Sequence, residues 1–192
     1  MCGIVGGVTN RDITPLLLDG LKRLEYRGYD SSGLVVLSKK NSLNRARSVG
    51  KVNNLVENLK TRKNKIKGNI GIAHTRWATH GEPAKHNAHP HISNQVVSVV
   101  HNGIIENYLE LKDSQIKQGY KFTSDTDTEV IAHAIELAMQ SNNTLLHSVQ
   151  KAIKTFEGAY GLGIISPHYP NTIIATRKGS PLVIGIGKNG NY

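Results

Sequence analysis

Cys2 is the residue with the clearest capacity for chemistry, and it is the single cysteine of the 192-residue chain. Once Met1 is removed, its thiol and its α-amine, with ordinary pKa values of about 8.5 and about 7.7–8.0, can exchange a proton near neutral pH. One residue would then supply a nucleophile and an adjacent general base. If Met1 stays in place, the amine is an amide and the base is lost. The alternative is a small buried side chain on a first strand, and position alone leaves both interpretations open.

The Asn102-Gly103 pair is a second candidate for acyl-transfer chemistry, since it follows a β-branched strand predicted over residues 95–101. An asparagine amide and a glycine N–H are suitable donors to the oxyanion that develops on a substrate carbonyl. Asn-Gly is also a strong hairpin signal. The pattern of residues 105–117 predicts a helix and not a returning strand, which weakens the hairpin alternative.

Arg76 and Asp127 are candidates to hold a free amino acid as substrate. An arginine binds a carboxylate through two parallel hydrogen bonds, and a carboxylate binds an ammonium group. Arg76 follows a predicted buried strand and precedes Trp77, the only tryptophan of the chain. Asp127 lies near the start of a helix predicted over residues 126–139, so a helix cap is its alternative role.

A histidine-rich segment invites a metal hypothesis, because imidazole is a common zinc ligand. It contains His74, His80, His86, His89 and His91. Their spacing matches no standard metal signature, and no cysteine shares the segment. The sequence therefore predicts no metal and no cofactor.

Strand-like and helical patterns alternate along the rest of the chain. Apolar runs predict strands over residues 2–8, 34–37, 45–49, 69–75, 95–101, 160–165, 172–176 and 182–186. Amphipathic stretches predict helices over residues 12–24, 52–60, 105–117, 126–139 and 144–156. Residues 76–94 form a long segment without periodicity, which is uncommon in a compact domain unless it serves function. The pattern indicates one mixed α/β domain with helices packed outside sheet.

The composition restricts the classes of partner. The formal charge of +10 comes from 24 Lys and Arg against 14 Asp and Glu. The basic residues crowd into residues 39–51 and 60–67, which are rich in Asn and Ser and lack interleaved aromatic residues, so solvated surface is favoured over a nucleic-acid interface. No apolar run approaches the roughly 18 residues of a membrane span. The expectation is a cytoplasmic protein that contacts neither nucleic acid nor membrane.

An ordered set of motifs resembles one known family, the class II, N-terminal-nucleophile glutamine amidotransferases, and within it the branch that forms amino sugars. The resemblance runs from Cys2 to about Gly187. The motifs are CGIVG at 2–6, LEYRGYDSSG at 24–33, HTRWATHGEP at 74–83, NAHPH at 87–91, HNGIIEN at 101–107, TDTEVIAH at 126–133, GAYG at 158–161 and GSPLVIG at 179–185. CGIVG alone would be a weak signal, whereas the ordered set is highly specific.

The resemblance implies an α+β fold of four layers, the αββα sandwich of N-terminal-nucleophile hydrolases, in which two antiparallel sheets lie face to face with helices outside. It also implies that Cys2 attacks the side-chain amide of L-glutamine. The products would be glutamate and ammonia, formed through a thioester on Cys2. Asn102 and the backbone N–H of Gly103 would form the oxyanion hole.

The same resemblance implies roles for residues around the substrate. Arg76 would bind the substrate carboxylate with help from Thr79 and His80, and Asp127 would bind the α-amine. Trp77 resembles a gate that shields the site, and His89 resembles a supporting residue behind it. Arg27 and Gly28 resemble a mobile segment that closes when a sugar phosphate binds.

The family continues beyond this chain with the rest of the glutaminase domain and a sugar-phosphate isomerase domain. Residues 1–192 are therefore expected to be a C-terminally truncated glutaminase domain, and the ammonia would convert fructose 6-phosphate to glucosamine 6-phosphate only in a longer parent enzyme, expected to be a homodimer. Two alternatives stay open. The chain could belong to another class II enzyme, such as an amidophosphoribosyltransferase, or it could be a non-catalytic basic binding module.

Overall fold

A computed structural model describes residues 2–78, 81–141 and 143–192. Two predicted substrate-binding residues, Thr79 and His80, lie outside the described residues, as does Met1. Within the described ranges, none of the helices combines the length and the apolar character needed to cross a bilayer.

Five α-helices are present in the described part of the chain: α1 (Thr14–Leu24), α2 (Val52–Thr61), α3 (Tyr108–Lys117), α4 (Glu129–Met139) and α5 (Leu145–Ala152). Helix α1 begins with Pro15 in its first turn, where the missing N–H costs nothing. The side-chain hydroxyl of Thr144 caps α5 by accepting a hydrogen bond from the His147 N–H. Buried Leu17 and Leu21 form the inner face of α1.

The described strands form two antiparallel sheets. The first contains β1 (Gly3–Thr9), β2 (Ser31–Leu37), β3 (Leu43–Val49), β4 (Ile70–Arg76), β9 (Ile186–Gly187) and β10 (Gly190–Asn191), in the order β3-β2-β4-β1-β10-β9. The second contains β5 (His91–Ser93), β6 (Val97–Ile105), β7 (Gly158–Ile165) and β8 (Ile174–Lys178), in that order.

Three apolar clusters separate four layers. One joins α1 and α2 to the first sheet, and includes Leu17, Leu34 and Leu55. A second fills the space between the sheets, and includes Ile72 and Val100. A third joins the second sheet to α4 and α5, and its buried members include Val99, Ile131 and Val149. This arrangement confirms the αββα sandwich that the motifs implied.

Alternation along the strands decides which side chains enter the space between the sheets, because successive residues of a strand point to opposite faces. In β4, Ile70 and Ile72 belong to the intersheet cluster, so His74 and Arg76 share their face. In β6, Val100 belongs to the same cluster, so Asn102 shares its face. The first strand pairs antiparallel with β4, with Gly3 opposite Thr75. Cys2 therefore meets the end of β4.

The structure corrects several predicted boundaries. Asn102 and Gly103 lie within β6 and not beyond its end, and the following helix begins only at Tyr108. Helix α4 begins at Glu129, so Asp127 precedes it. Residues 182–185, predicted as part of a strand, form none, whereas β10 near the end of the chain pairs with β1. Local patterns missed these boundaries because pairing with β7 and β1, which are distant in sequence, decides them.

Candidate active site

The Cys2 thiol lies against the backbone that follows β4. The N–H of Trp77 donates a hydrogen bond to Sγ at 3.2 Å, and the thiol lies 3.6 Å from the Trp77 carbonyl, to which it can donate. Burial raises the pKa of the Cys2 thiol, and the hydrogen bond with Trp77 acts in the opposite direction. Because the neutral thiol is favoured, a base must remove its proton before the sulfur acts as a nucleophile.

Asn102 reaches Cys2 from the second sheet. Its Nδ2 donates to the Cys2 carbonyl oxygen at 3.2 Å, and its Oδ1 lies 2.9 Å from Nε2 of His74. The amide nitrogen of Asn102 therefore lies against the backbone of Cys2, while its oxygen lies against His74. A donor in this position can stabilise negative charge on a carbonyl under attack.

Gly103 follows with a backbone conformation that other residues adopt only with strain, since its φ is +129°. A Cβ at this position would lie 2.0 Å from the carbonyl oxygen of Ala159 on β7. Glycine is therefore required twice, once by the backbone angle and once by the close approach of β7. The Gly103 backbone forms part of the pocket wall, next to Asn102 in the chain.

Arg76 ends β4 as a buried cation with 3% of its surface exposed. Its Nη2 donates to the Gly81 carbonyl at 2.8 Å and its Nη1 to the Glu82 carbonyl at 3.2 Å. Nη1 also lies 3.9 Å from Oδ1 of Asp30. These contacts fix the guanidinium at the pocket, where it lowers the cost of burying a negatively charged group.

Asp127 is held in place by the chain that leaves β6. Its Oδ2 accepts a hydrogen bond from the Ile105 N–H at 2.8 Å and lies 3.8 Å from Nδ1 of His101. Helix α4 has Thr128 as its N-cap, and no side chain caps it. The helix-cap interpretation of Asp127 is therefore wrong, and Asp127 instead forms part of the pocket lining.

One small pocket brings most of the predicted residues together. Its lining consists of Cys2, Arg76, Trp77, His89, His101, Gly103, Thr126, Asp127 and Thr128. His101, Thr126 and Thr128 were not among the residues predicted for the site. The T-D-T run before α4 was the available signal, because Thr126 and Thr128 flank Asp127 in the turn that precedes α4, which was assigned to the helix.

His89 is tied to the pocket through a closed set of hydrogen bonds. The His101 N–H donates to Nδ1 of His89 at 3.5 Å, so His89 carries its proton on Nε2 and donates to the Thr128 hydroxyl at 3.0 Å. Thr128 then donates to Nδ1 of His101 at 3.0 Å. His89 therefore lines the pocket as a defined tautomer, and its supporting role stays a prediction.

The buried imidazoles are poor bases. Burial lowers the pKa of His74 to about 3, and it lowers the pKa values of His89 and His91 well below their ordinary range. Neutral forms of these residues dominate near neutral pH, and their protonated forms are strongly disfavoured. They can donate hydrogen bonds, but they cannot readily hold the proton that Cys2 must release.

Trp77 stands at the mouth of the pocket with 49% of its surface exposed. Its ring meets that of Tyr29 edge to face, with 5.7 Å between the ring centroids. Gly28 packs tightly beneath, since a Cβ there would lie 2.9 Å from the Arg76 carbonyl and 3.0 Å from the Trp77 nitrogen. The segment containing Arg27 and Gly28 therefore packs against residues that line the pocket.

The histidines do not form a metal centre in the described part of the chain, where no group of three or more His, Cys, Asp or Glu residues is arranged to hold an ion. His86 lies apart from the imidazoles behind the pocket. It pairs with Asp125, with 3.1 Å between Nε2 and Oδ2.

The glutamine amidotransferase domain family matches residues 74–190. The chain therefore belongs to this family, and the sandwich and the pocket assign it to the N-terminal-nucleophile class of amidotransferase enzymes. Among curated relatives, it is 56% identical to the isomerising glutamine–fructose-6-phosphate aminotransferase of Acinetobacter baylyi over 192 residues, which are 100% of this chain and 31% of that protein. The enzymes of that name from Photorhabdus laumondii and Pseudomonas aeruginosa are 54% and 53% identical, again over 100% of this chain and 31% of theirs.

Solved structures agree on the fold. The glutamine phosphoribosylpyrophosphate amidotransferase of B. subtilis, complexed with ADP and GMP, gives a TM-score of 0.83 at 26% identity, covering 100% of this chain and 41% of that one. A glutamine aminotransferase class-II domain protein from Silicibacter pomeroyi gives 0.59 at 14% identity, covering 84% and 78% of the two chains.

These comparisons separate the aminosugar interpretation from the phosphoribosyl alternative. Identity is 52–56% to the fructose-6-phosphate aminotransferases and 26% to the phosphoribosylpyrophosphate enzyme. The aminosugar branch is therefore favoured. The chain spans about a third of the length of the curated relatives it matches.

Proposed function

We propose that this chain hydrolyses the side-chain amide of L-glutamine to glutamate and ammonia, with Cys2 as nucleophile. The observation that carries the proposal is the convergence of Cys2, Asn102, Arg76 and Asp127, from four separate segments, on one pocket and its immediate wall. A nucleophile, an oxyanion donor, a cation and an anion are the groups that a free amino acid amide requires.

The covalent step begins at Sγ of Cys2, which attacks the amide carbon of glutamine. Negative charge gathers on the carbonyl oxygen, where Nδ2 of Asn102 and the N–H of Gly103 stabilise it. The bond from carbon to nitrogen then breaks, nitrogen takes a proton and leaves as ammonia, and a thioester remains on Cys2. Water attacks the thioester, and the thiol and glutamate are released.

The α-amine of Cys2 serves as the base, after removal of Met1. It is the group whose ordinary pKa suits proton exchange near neutral pH, whereas the pKa values of His74 and His89 are lowered by burial. The amine takes the thiol proton and later returns it to the leaving nitrogen.

The remaining residues hold the substrate. Arg76 binds the α-carboxylate with help from Thr79 and His80, and Asp127 binds the α-ammonium group. Trp77 covers the bound substrate from the mouth of the pocket. The segment of Arg27 and Gly28 moves against Trp77 when the acceptor sugar binds, and His89 supports the pocket wall through Thr128.

In the longer protein of which residues 1–192 form the truncated glutaminase domain, the ammonia converts fructose 6-phosphate to glucosamine 6-phosphate, the first step of aminosugar synthesis. The names of the relatives support this acceptor, since they are isomerising fructose-6-phosphate aminotransferases. We further propose a homodimeric parent enzyme in the cytoplasm, where a catalytic thiol stays reduced.

Intact mass and active-site labelling test the proposal on one sample. The protein is weighed to determine whether Met1 is absent, and it is then treated with the glutamine analogue diazo-oxo-norleucine. The expected result is loss of Met1 and a single adduct on Cys2. An unlabelled Cys2 in a processed protein that also fails to release ammonia from glutamine would refute the proposal.

A further inference from the structure

His74 and Asn102 face each other across the space between the two sheets. Each lies two residues beyond a member of the intersheet apolar cluster, Ile72 on β4 and Val100 on β6. The backbone of His74 is paired on both sides, with Ile4 on β1 and with Gly33 on β2. The imidazole is therefore anchored in the interior of the first sheet, with no exposed surface.

The contact between these side chains fixes the imidazole tautomer. Nε2 of His74 lies 2.9 Å from Oδ1 of Asn102. A carboxamide oxygen can only accept, so Nε2 must carry the proton and donate. Burial keeps the ring neutral, since it lowers the pKa of His74 to about 3.

The same contact decides which way the Asn102 amide points. In the observed orientation Oδ1 accepts from His74 and Nδ2 donates to the Cys2 carbonyl at 3.2 Å. A rotation of the amide by 180° would oppose two acceptors at the Cys2 carbonyl, and it would oppose two donors at His74 as long as Nε2 keeps its proton. Each mismatch in a buried site costs about 1–3 kcal/mol, so the flipped amide is strongly disfavoured.

We infer that His74 is a positioning residue that holds the Asn102 carboxamide with its nitrogen toward the reaction centre. The inference rests on the proposed function of Asn102 as oxyanion donor. His74 touches no substrate and exchanges no proton in this role. Without it, the Asn102 amide would sample an orientation that presents an oxygen to the developing oxyanion.

Two substitutions at position 74 distinguish the loss of the hydrogen-bond donor from the loss of the imidazole ring. His74→Leu removes the donor, whereas His74→Gln supplies an amide N–H at a similar reach. We expect His74→Leu to lower kcat for glutamine hydrolysis about 10- to 100-fold with KM within about twofold, because a misplaced oxyanion donor acts only in the transition state. We expect His74→Gln to recover most of the loss. Should His74→Leu fail to fold, His74→Asn, whose shorter amide leaves the contact unmade, replaces it.

The rate of Cys2 alkylation by iodoacetamide distinguishes a positioning role of His74 from a merely structural one. A distorted site would change this rate, whereas a misplaced oxyanion donor would not. Cys2 is the only cysteine, so the alkylation rate reports on this thiol alone, and alkylation forms no oxyanion. We expect the rate in His74→Leu to stay within about twofold of the unmodified protein. The control is His133→Leu, which removes another buried imidazole, bonded to Ser93 at 2.6 Å and not to Asn102, and should leave kcat unchanged.

A double variant tests whether His74 acts through Asn102. If His74 acts through Asn102, then His74→Leu should slow Asn102→Ala no further, since groups that act as a unit are not additive. Multiplied losses, a change confined to KM, or a parallel fall in alkylation would overturn the inference. An unmodified protein without glutaminase activity, or an active Cys2→Ala variant, would instead overturn the proposed function.

Discussion

The backbone N–H of Trp77 donates a 3.2 Å hydrogen bond to Sγ of Cys2, which lies 75 residues earlier in the chain. This bond places the thiol at the end of β4, beside the Arg76 side chain that shares its pocket. The nucleophile is thus held by the same strand end that supplies the proposed carboxylate-binding cation.

Cys2→Ala should abolish glutamine hydrolysis, because the covalent route requires the sulfur. Ammonia release from glutamine measures the loss, and the thermal unfolding midpoint should remain near that of the unmodified protein. Activity close to the unmodified level in this variant would contradict the assignment of the nucleophile.

Asn102→Ala should lower kcat about 100-fold or more with little change in KM, since an oxyanion donor acts on the transition state. Steady-state kinetics with glutamine give both constants. Asn107→Ala is a matched control, because the Asn107 amide bonds to the Thr155 carbonyl at 2.9 Å, away from the pocket. A rise in KM alone would mark Asn102 as a substrate-positioning residue instead.

Gly103→Ala should impair both folding and catalysis. Its Cβ would meet the Ala159 carbonyl at 2.0 Å, and its φ is +129°. Gly119→Ala isolates the effect of the backbone angle, since Gly119 has a φ of +91° but a Cβ added there would have nothing within 4 Å. We expect Gly119→Ala to cost about 1 kcal/mol of unfolding free energy and no activity.

Urea unfolding and ammonia release compare these two glycine variants. Gly103→Ala should be the more destabilised, and its folded fraction should hydrolyse glutamine slowly because the backbone N–H is displaced. Equal stability of the two variants would show that β7 yields easily around position 103.

Asp127→Asn should weaken glutamine binding while it preserves the local fold. The asparagine oxygen can still accept from the Ile105 N–H, a 2.8 Å bond in the structure, but the negative charge is lost. Hydrogen bonds to charged groups are worth about 1.5–3 kcal/mol, so kcat/KM should fall about 10- to 100-fold. Asp113→Asn, an exposed site on α3, is the control, and an unchanged kcat/KM for Asp127→Asn would exclude the ammonium-binding role.

The fold should lose stability as the pH falls below about 6.5. Burial lowers the pKa of His74 to about 3, and those of His89 and His91 well below their ordinary value. Between the folded and unfolded pKa values the unfolded chain binds more protons, so acid favours unfolding. Each histidine can contribute about 1.4 kcal/mol per pH unit in that window.

Urea titrations at pH 7.5, 6.5 and 5.5 measure this slope. His91→Leu should reduce it by up to one proton. A free energy of unfolding that is flat over this range would mean that the buried imidazoles titrate almost normally.

Local patterns predicted the parts of the fold that depend on near neighbours. Helix α1 was expected over residues 12–24 and spans Thr14–Leu24, because its apolar residues recur on one face and Pro15 fits the first turn. Residues 2–8 and 69–75 were expected as strands and form β1 and β4 within two residues at each end. The helix was indicated by apolar residues that recur on one face, and the two strands were indicated by short apolar runs.

Predictions failed where a distant partner decides the structure. Asn102 and Gly103 were expected beyond a strand end, yet β6 continues through Ile105 because β7 pairs with it as far as Gly158. Thr126 and Asp127 were expected in a helix, yet α4 begins only at Glu129, and the Ile105 N–H holds Asp127 in the turn before it. Propensity within a short window carries no information about either contact.

The sequence by itself determined which groups are available: one thiol next to the initiator methionine, an Asn-Gly pair, an arginine before the only tryptophan, and an aspartate between two threonines. Tertiary structure decided how they meet. The antiparallel pairing of β1 with β4 brings Cys2 to Arg76, and the stacking of the sheets brings His74 to Asn102. These contacts join residues that are 28 to 100 positions apart, so they exist only once strand register and layer packing have been fixed.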